Sequence, residues 1–268
     1  MKKTRNPFFY IGGAIAGLMT ALILLGFVWT PYSTTAMDAA AKHQPPSFAH
    51  LLGTDNFGRD IFSRILEGAG TSFLIALCVV LIGCVFGILI GSFCGYYGGL
   101  PDLILTRICD SITAFPAILL ALVIISVVGG GTYNIILALG VLFIPSFARI
   151  VRGEFARCRN LNYIKSAKLM GVGNLRIMFL HILPNTLSVL LPAVTIGFNN
   201  AVLSEASMSF LGIGIQPPQA SLGSMLSESQ TYLNSAPWYA LSVGGAIVLL
   251  ILGFSMLSEG LQQSGRRQ

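Results

Sequence analysis

Residues 71–97 read TSFLIALCVVLIGCVFGILIGSFCGYY, and this stretch contains no charged side chain. A helix needs roughly 20 predominantly apolar residues to cross the hydrocarbon core of a bilayer, and this run is longer than that. Glycine recurs at every fourth position, at Gly83, Gly87, Gly91 and Gly95. That spacing keeps the glycines near one helical face, where a second helix approaches closely. We interpret the face as packing between transmembrane helices, with a surface reserved for another subunit or for a pathway through the membrane as the alternative.

The composition of the whole chain agrees with a membrane protein. Of the 268 residues, 54% are hydrophobic and only 10% are charged, against roughly 25% charged residues in an ordinary soluble domain. Burying charges in hydrocarbon is costly, so a bilayer-embedded surface excludes them. The net charge of +6 is spread among long apolar runs, which argues against a soluble nucleic-acid-binding domain.

Six apolar runs without Asp, Glu, Lys or Arg predict an all-α, polytopic protein with six transmembrane helices. They are Phe8–Trp29, Thr71–Tyr97, Ser111–Val128, Thr132–Ala148, Thr186–Leu203 and Trp238–Leu257. The first is too long for the apolar region of a cleaved signal peptide and is interpreted as an anchor. Gly129–Gly131 separate the third run from the fourth, which predicts a tight helical hairpin. We divide the chain into an anchor (1–30), an external loop (31–70), a transmembrane domain (71–262) with an inner loop at 149–185, and a tail (263–268).

The distribution of Lys and Arg predicts the orientation, because inner loops are enriched in these residues. With the N-terminus inside, 13 of the 16 basic residues lie on the inner side, and only Lys42, Arg59 and Arg64 lie outside. The inner residues are Lys2, Lys3, Arg5, Arg107, Arg149, Arg152, Arg157, Arg159, Lys165, Lys168, Arg176, Arg266 and Arg267. Both termini are therefore predicted to be inside.

The inner loop before the fifth run contains a helix–glycine–helix pattern. Residues 159–185 read RNLNYIKSAKLMGVGNLRIMFLHILPN. We predict a short helix over about 163–170 that is capped by Asn162, a break at Gly171 and Gly173, and a second helix from near Asn174 that stops before Pro184.

The short helix would form a compact knob outside the membrane. It presents Lys165, Ser166 and Lys168, while Ala167 is small enough for close docking and the next two apolar residues, Leu169 and Met170, are able to fill an apolar slot. The pattern fits insertion into a groove of a soluble partner. It fits equally well a basic loop that lies on anionic headgroups.

This loop resembles the coupling loop of ABC importer permeases, whose pattern is Glu-Ala-Ala, three residues, Gly, nine residues, then Ile-x-Leu-Pro. Lys165-Ser166-Ala167 stands in the place of Glu-Ala-Ala, and Gly171, Leu183 and Pro184 match in register. The chain departs from the pattern at Lys165, which replaces an acidic residue, and at His181, which replaces Ile. The resemblance implies a type I permease fold. It also implies contact with an ATPase through Lys165, Ser166, Ala167, Lys168, Gly171, Leu183 and Pro184.

Further motifs resemble the C-subunit type of the dipeptide, oligopeptide and nickel permease family. His50–Arg64 reads HLLGTDNFGRDIFSR, similar to that family's LGTDxxGRDxxSR signature. Gly95–Gly99 (GYYGG) and Ser209–Gly214 (SFLGIG) are also similar to it. The resemblance implies an ATP-driven importer of a peptide or related small solute in a bacterial inner membrane.

The same resemblance implies which partners the chain needs. They are a second, homologous permease, two cytoplasmic ATPase subunits, an extracytoplasmic solute-binding protein and membrane lipid. The chain contains no Gly-x-x-x-x-Gly-Lys-Ser/Thr phosphate loop. We therefore expect no enzyme activity and no cofactor on this chain, with ATP and Mg bound by the ATPase subunits. The alternative function is a self-sufficient, ion-coupled secondary transporter.

Three polar residues near the end of the fifth run are candidates for the solute pathway. Polar groups at membrane depth usually face a cavity or a partner helix, so Asn199, Asn200 and Glu205 are predicted to contact the solute. The alternatives are hydrogen bonds between helices and, for Glu205, exposure at the membrane interface. Metal ligands are not expected, because His43, His50 and His181 lie too far apart in sequence. The five cysteines are interpreted as small core residues.

Four charged residues of the LGTDxxGRDxxSR signature lie in the external loop before the second run. Its candidate residues are Asp55, Arg59, Asp60 and Arg64. Asp60 and Arg64 are four positions apart, which favours a pair on one helical face and a structural clamp at the start of the second run. The alternative is docking of the binding protein. Glu228 and Pro217-Pro218 lie in the loop before the last run and suggest a gate.

Overall fold

The described part of the chain, residues 7–265 of a computed structural model, folds into helices and loops without a β-strand. Lys2, Lys3, Arg5, Arg266 and Arg267, used above to predict the orientation, lie outside these residues. The helices are α1 (Pro7–Val28), α2 (Ile61–Tyr97), α3 (Gly99–Thr113), α4 (Ala117–Val128), α5 (Thr132–Cys158), α6 (Asn162–Leu169), α7 (Asn174–Arg176), α8 (Leu183–Phe210), α9 (Leu222–Gln230) and α10 (Pro237–Gly265). A 3₁₀ turn lies at Ala39–Ala41 and a π-helical stretch at Ile177–Ile182. The predicted all-α fold is confirmed.

Five helical segments are long and apolar enough to cross a bilayer, and a bent pair makes a sixth if it is counted as one span. The five segments are Phe9–Val28, Ile61–Tyr97, Thr132–Cys158, Asn174–Phe210 and Pro237–Gly260. The bent pair replaces the continuous third span predicted over Ser111–Val128. Helices α3 and α4 meet at 90°, because Pro116 has no N–H to donate and disfavours a helical Phe115 before it.

Helix α2 starts earlier than predicted. It begins at Ile61, within the range 31–70 assigned to an external loop, and not at Thr71. The Asp60 carboxylate accepts a hydrogen bond from the backbone N–H of Ser63 at 2.8 Å. Because an N-cap residue satisfies one of the free N–H groups of the first turn, Asp60 sets the start of the helix.

The helix at the end of the inner loop continues past the predicted stop at Pro184. The π-helical stretch joins α7 to α8, and the Leu183 N–H bonds to the Met178 carbonyl five positions earlier. Pro184 falls in the first turn of α8, where its missing N–H is tolerated. The altered pitch therefore absorbs the proline, and Asn174–Phe210 runs as one long segment.

The centre of the bundle is formed by α2 and α5, which meet along the glycine face. A Cβ atom on Gly87 would lie 2.5 Å from the Cβ of Phe147, and one on Gly95 would lie 2.7 Å from the Cβ of Phe155. These distances are too short for any side chain, so the face requires glycine. The interpretation as packing between helices agrees with the structure, since α5 of the same chain covers the face.

The first and last helices form a second pair beside this centre. A Cβ on Gly12 would lie 2.5 Å from the backbone nitrogen of Leu257, and one on Gly253 would lie 2.8 Å from that of Ala16. The anchor helix thus packs closely on α10. We call the end of the bundle that carries α6 the α6 end, and the opposite end, with residues 31–60 and α9, the α9 end.

Candidate functional site

Residues 159–176 join α5 to the π-helical stretch at the α6 end, and we call them the connecting segment. Its helix α6 buries Ile164 and Ala167, which lie on one face because they are three positions apart. Lys165 and Ser166 are exposed. Ala167 was predicted to dock on a partner, but its side chain is only 4% exposed, so it holds α6 on the bundle instead.

The tip of the connecting segment exposes two large apolar side chains. Leu169 is 90% exposed and Met170 is 76% exposed. They are adjacent to each other and to the exposed Lys168. Exposed apolar side chains that form a patch typically mark an interaction surface, and this pair is the most open apolar surface of the segment.

Gly171 ends α6 with a left-handed backbone, at φ +77°. Its N–H bonds to the Lys168 carbonyl at 3.0 Å, and the Val172 N–H bonds to the Ala167 carbonyl at 3.1 Å. This arrangement satisfies carbonyls at the end of a helix, and glycine adopts the required φ without strain. The cap at the other end differs from the prediction: Asn162 is the first residue of α6, the capping position belongs to Leu161, and no side chain caps the helix.

Two further residues assigned to the ATPase contact lie at the start of α8. Leu183 is half-buried and packs against the core, while Pro184 is exposed. Of the residues implied by the resemblance, Lys165, Ser166, Lys168, Gly171 and Pro184 are therefore exposed, and Ala167 and Leu183 are packed inward.

The C-terminal turn of α2 contacts the connecting segment through the Tyr96 side chain. The Tyr96 hydroxyl donates a hydrogen bond to Oδ1 of Asn174 at 2.8 Å, and the Lys168 ammonium lies 5.0 Å from the centre of the Tyr96 ring. The sequence indicated the GYYGG motif but not this role, since the two contacts are far apart along the chain. Elsewhere on α6, burial raises the pKa of the Tyr163 phenol, with a further contribution from Cys158, so Tyr163 is neutral at physiological pH.

Two ion pairs join α3 to α5 at the same end of the bundle. The Arg152 guanidinium pairs with the Asp102 carboxylate through two nitrogen atoms, and Arg149 pairs with Asp110 at 3.3 Å. A bidentate Arg–carboxylate pair has a defined geometry. It therefore fixes how α3 crosses α5, although the sequence alone assigned these residues no partners.

A cavity of about 580 Å³ opens between α4, α5 and α8; we call it the lateral cavity. Its lining is mostly apolar, and its polar side chains are Ser146, Asn200 and Ser204. Asn200 was predicted as a pathway residue. The two serines were missed, although each lies in or directly after an apolar run, which is the signal that selected Asn200.

The other two pathway candidates do not line the lateral cavity. Asn199 is half-buried, and its Oδ1 atom is buried without a hydrogen-bond partner among the described residues. Glu205 is fully buried, which excludes its exposure at an interface, and its Oε1 accepts a hydrogen bond from the Ser209 hydroxyl at 2.7 Å. Asn200 therefore lines the lateral cavity, whereas Glu205 is buried elsewhere on α8.

At the α9 end a charged cluster connects four parts of the chain; it consists of Asp55, Arg59, Arg64, Glu228 and Tyr239. Asp55 Oδ2 lies 2.6 Å from both Arg59 Nε and Arg64 Nη1. Glu228 Oε2 lies 2.9 Å from Arg64 Nη1 and 3.2 Å from Arg59 Nη2, and it accepts a hydrogen bond from the Tyr239 hydroxyl at 3.0 Å. The cluster joins the external loop, α2, α9 and α10.

The predicted side-chain pair between Asp60 and Arg64 does not form. Asp60 instead caps α2 and lies 2.9 Å from His50 Nδ1, while Arg64 is 2% exposed and binds Asp55 and Glu228. The predicted structural clamp at the start of α2 therefore exists, but with different partners. Glu228 lies on α9 and belongs to this clamp.

Comparison with known proteins places the chain among transport components. Residues 87–264 match the family model described as "Binding-protein-dependent transport system inner membrane component". The chain is 40% identical to the dipeptide transport system permease protein DppC of Alkalihalophilus pseudofirmus, over 94% of this chain and 84% of that protein. It is 39% identical to the glutathione transport system permease protein GsiD of Pectobacterium atrosepticum, over 93% and 84%.

A solved structure has a similar fold. The MetNI methionine ABC transporter in inward facing conformations aligns with a TM-score of 0.59 over 76% of this chain and 94% of that chain, at 20% sequence identity. At this identity the likeness concerns the fold alone. It agrees with the type I permease fold that the coupling-loop resemblance implied.

Proposed function

Because the chain belongs to the family of binding-protein-dependent transport system inner membrane components, we propose that it forms, with a second permease, the membrane pathway of an ATP-driven importer for peptides or a related small solute. The observation that carries the proposal is the likeness over more than nine-tenths of the chain to permeases named for dipeptide and glutathione transport. A nickel chelate is a further candidate solute, since the external-loop signature is shared with nickel permeases.

The connecting segment is proposed to couple ATP hydrolysis to transport. Leu169 and Met170 would insert into a groove of a cytoplasmic ATPase subunit, and the exposed Lys165 would meet its rim. Ile164 and Ala167 anchor α6 on the bundle, so a displacement of the tip would move the bundle with it. ATP and Mg would be bound by the ATPase subunits.

The proposed orientation places the α6 end in the cytoplasm and the α9 end outside. Most of the basic residues described, among them Arg149, Arg152, Arg159, Lys165 and Lys168, lie at the α6 end, as the positive-inside rule requires. The charged cluster would then hold the external loop, where an extracytoplasmic solute-binding protein docks, against α9.

The lateral cavity is proposed to be this chain's part of the solute pathway. Its polar groups, Ser146, Asn200 and Ser204, are suited to hydrogen bonds with peptide groups, and its apolar wall does not select one side chain. The cavity opens on the surface of the bundle, so a second permease is needed to close it. Selection of the solute would rest largely with the binding protein.

Crosslinking tests the coupling proposal directly. A Met170→Cys variant, made after replacement of the five native cysteines, is purified with its associated subunits and treated with a short thiol crosslinker. We expect a crosslink to an ATPase subunit. Phe48→Cys is the matched control, because Phe48 is fully exposed at the α9 end and should not react with that subunit.

The same preparation separates the importer from an ion-coupled transporter. ATP-dependent uptake of dipeptides, glutathione or a nickel chelate into vesicles should require the ATPase subunits. Uptake that is driven by an ion gradient in their absence, without a crosslink from position 170, would refute the proposal.

A further inference from the structure

The last turn of α2 contacts the connecting segment at three places: Arg159, Lys168 on α6 and Asn174 on α7. Tyr96 is 6% exposed, its hydroxyl donates to Asn174 at the start of α7, and its ring lies under the Lys168 ammonium of α6. Both contacts come from one side chain. The side chain therefore bridges the two helices that flank Gly171.

The backbone of the same turn is held by the first residue of the connecting segment, directly after α5. The Arg159 guanidinium donates to the carbonyls of Gly95 and Tyr96 at 3.3 and 3.4 Å. Gly95 lies directly against Phe155, where a Cβ would have no room. Because this packing leaves the turn little freedom, the Tyr96 side chain projects from a fixed position.

We propose that Tyr96 is the positioning residue that makes the connecting segment and α2 move as one unit. This inference rests on the proposed coupling function of that segment. A tip that is displaced by the ATPase would pull on Tyr96 through Lys168 and Asn174. Without Tyr96, the buried Ile164 and Ala167 would still hold α6 on the bundle, but no side chain of α2 would join α6 to α7, and more of the displacement would be taken up by bending.

Helix α2 is well suited to carry this displacement across the membrane. Its 37 residues correspond to a length of about 55 Å, well above the roughly 30 Å of the hydrocarbon core. At its other end Arg64 is bound to Asp55 on the external loop and to Glu228 on α9. The helix thus links the connecting segment to the α9 end without a break in the chain.

Two variants remove the hydrogen bond between Tyr96 and Asn174 in the assembled transporter. Tyr96→Phe keeps the ring under Lys168 and loses the hydrogen bond, and Asn174→Leu removes the acceptor. We expect each to raise the number of ATP molecules hydrolysed per solute taken up by roughly two- to tenfold, the range that one lost hydrogen bond allows. Combined, they should have no more effect than either alone.

Conservative variants distinguish positioning from a purely structural role. Asn174→Asp keeps an acceptor oxygen and should restore the wild-type ratio. Tyr97→Phe is the control, since Tyr97 is half-exposed and its hydroxyl makes no hydrogen bond within residues 7–265. A purely structural role would lower the yield of assembled transporter in Tyr96→Phe and leave the ratio unchanged, which would overturn the inference.

Different results would refute the role of Tyr96 and the coupling function of the connecting segment. If position 170 crosslinks to the ATPase while Tyr96→Phe and Asn174→Leu transport with the wild-type ratio, only the inference is wrong. If position 170 never crosslinks and uptake needs no ATPase, the coupling function itself is wrong.

Discussion

Gly171 is the residue where the backbone alone decides the geometry of the connecting segment. Its φ of +77° costs most L-residues roughly 1–2 kcal/mol and a β-branched residue more, while a Cβ added here would meet nothing within 4 Å. We expect Gly171→Val to turn the tip of α6 away from its partner. ATP hydrolysis by the assembled transporter should then continue while solute uptake falls, measured together in proteoliposomes.

Gly173 offers a matched control for that prediction. It has the same open surroundings, but its φ is −66° and its ψ 149°, an extended conformation that valine adopts easily. Gly173→Val should therefore keep uptake and hydrolysis coupled. Equal loss of uptake in both variants would show that bulk, and not the left-handed backbone, is responsible.

Arg64 is the residue on which the charged cluster depends. It is 2% exposed and is shared by Asp55 and Glu228. Arg64→Leu leaves these carboxylates with Arg59 as their remaining cationic partner in the cluster. Removing one partner of a buried ion pair typically destabilises a protein by about 3–5 kcal/mol, so we expect a marked fall in the temperature at which the detergent-solubilised protein unfolds.

An exposed pair on the same chain provides the comparison for Arg64. Arg157 pairs with Glu154 three positions earlier, with 61% of its side chain exposed. Exposed pairs contribute about 0–1 kcal/mol, so Arg157→Leu should hardly change the unfolding temperature. If both variants shift it equally, the cluster is not a clamp.

At the scale of the helices, the contact between α2 and α5 depends on the glycine face. A Cβ on Gly91 would lie 2.5 Å from the Ala148 carbonyl oxygen and 2.9 Å from the Val151 Cβ. Gly91→Ala should push the helices apart and destabilise the protein by about 1–3 kcal/mol, seen as a lower unfolding temperature. Gly244→Ala on α10, where a Cβ meets nothing within 4 Å, should be neutral or slightly stabilising.

The features that were predicted correctly depend on short stretches of the sequence. The glycine spacing of four predicted a close helix contact, and Gly171 predicted the end of α6, because both depend on residues a few positions apart. The bend at Pro116 was missed, since an apolar run does not reveal the angle between its halves. Asp60 was assigned to Arg64, although the Ser63 N–H three positions later competes successfully for the same carboxylate.

The sequence did not predict contacts between residues that are far apart along the chain. Glu228 is 164 positions from Arg64, and Asn174 is 78 positions from Tyr96, so no periodic pattern connects either pair. Glu205 shows the same limit. Its place at the end of an apolar run suggested a pathway residue, while its complete burial depends on how α8 packs against the rest of the bundle.

For the molecule as a whole, the two ends of the bundle have different chemistry. The α6 end carries an exposed basic and apolar tip, whereas the α9 end buries Asp55, Arg59 and Arg64 within the charged cluster. The bundle covers the glycine face of α2 with its own α5 but leaves the lateral cavity between α4, α5 and α8 open. Under the proposed function, a single chain would form one part of a pathway that a second permease completes, and coupling from an ATPase would pass along its helices.

This asymmetry gives a test of how the molecule lies in the membrane. In a background without native cysteines, Phe48→Cys at the α9 end and Met170→Cys at the α6 end both offer exposed positions. With both termini inside, a membrane-impermeant maleimide should label position 48 in intact spheroplasts, and position 170 only after permeabilisation. Because bound subunits are able to shield either position, the labelling is repeated on inverted vesicles stripped of peripheral proteins, where position 170 should react and position 48 should not. The reverse pattern in both preparations would place the connecting segment outside the cell, where it has no access to an ATPase.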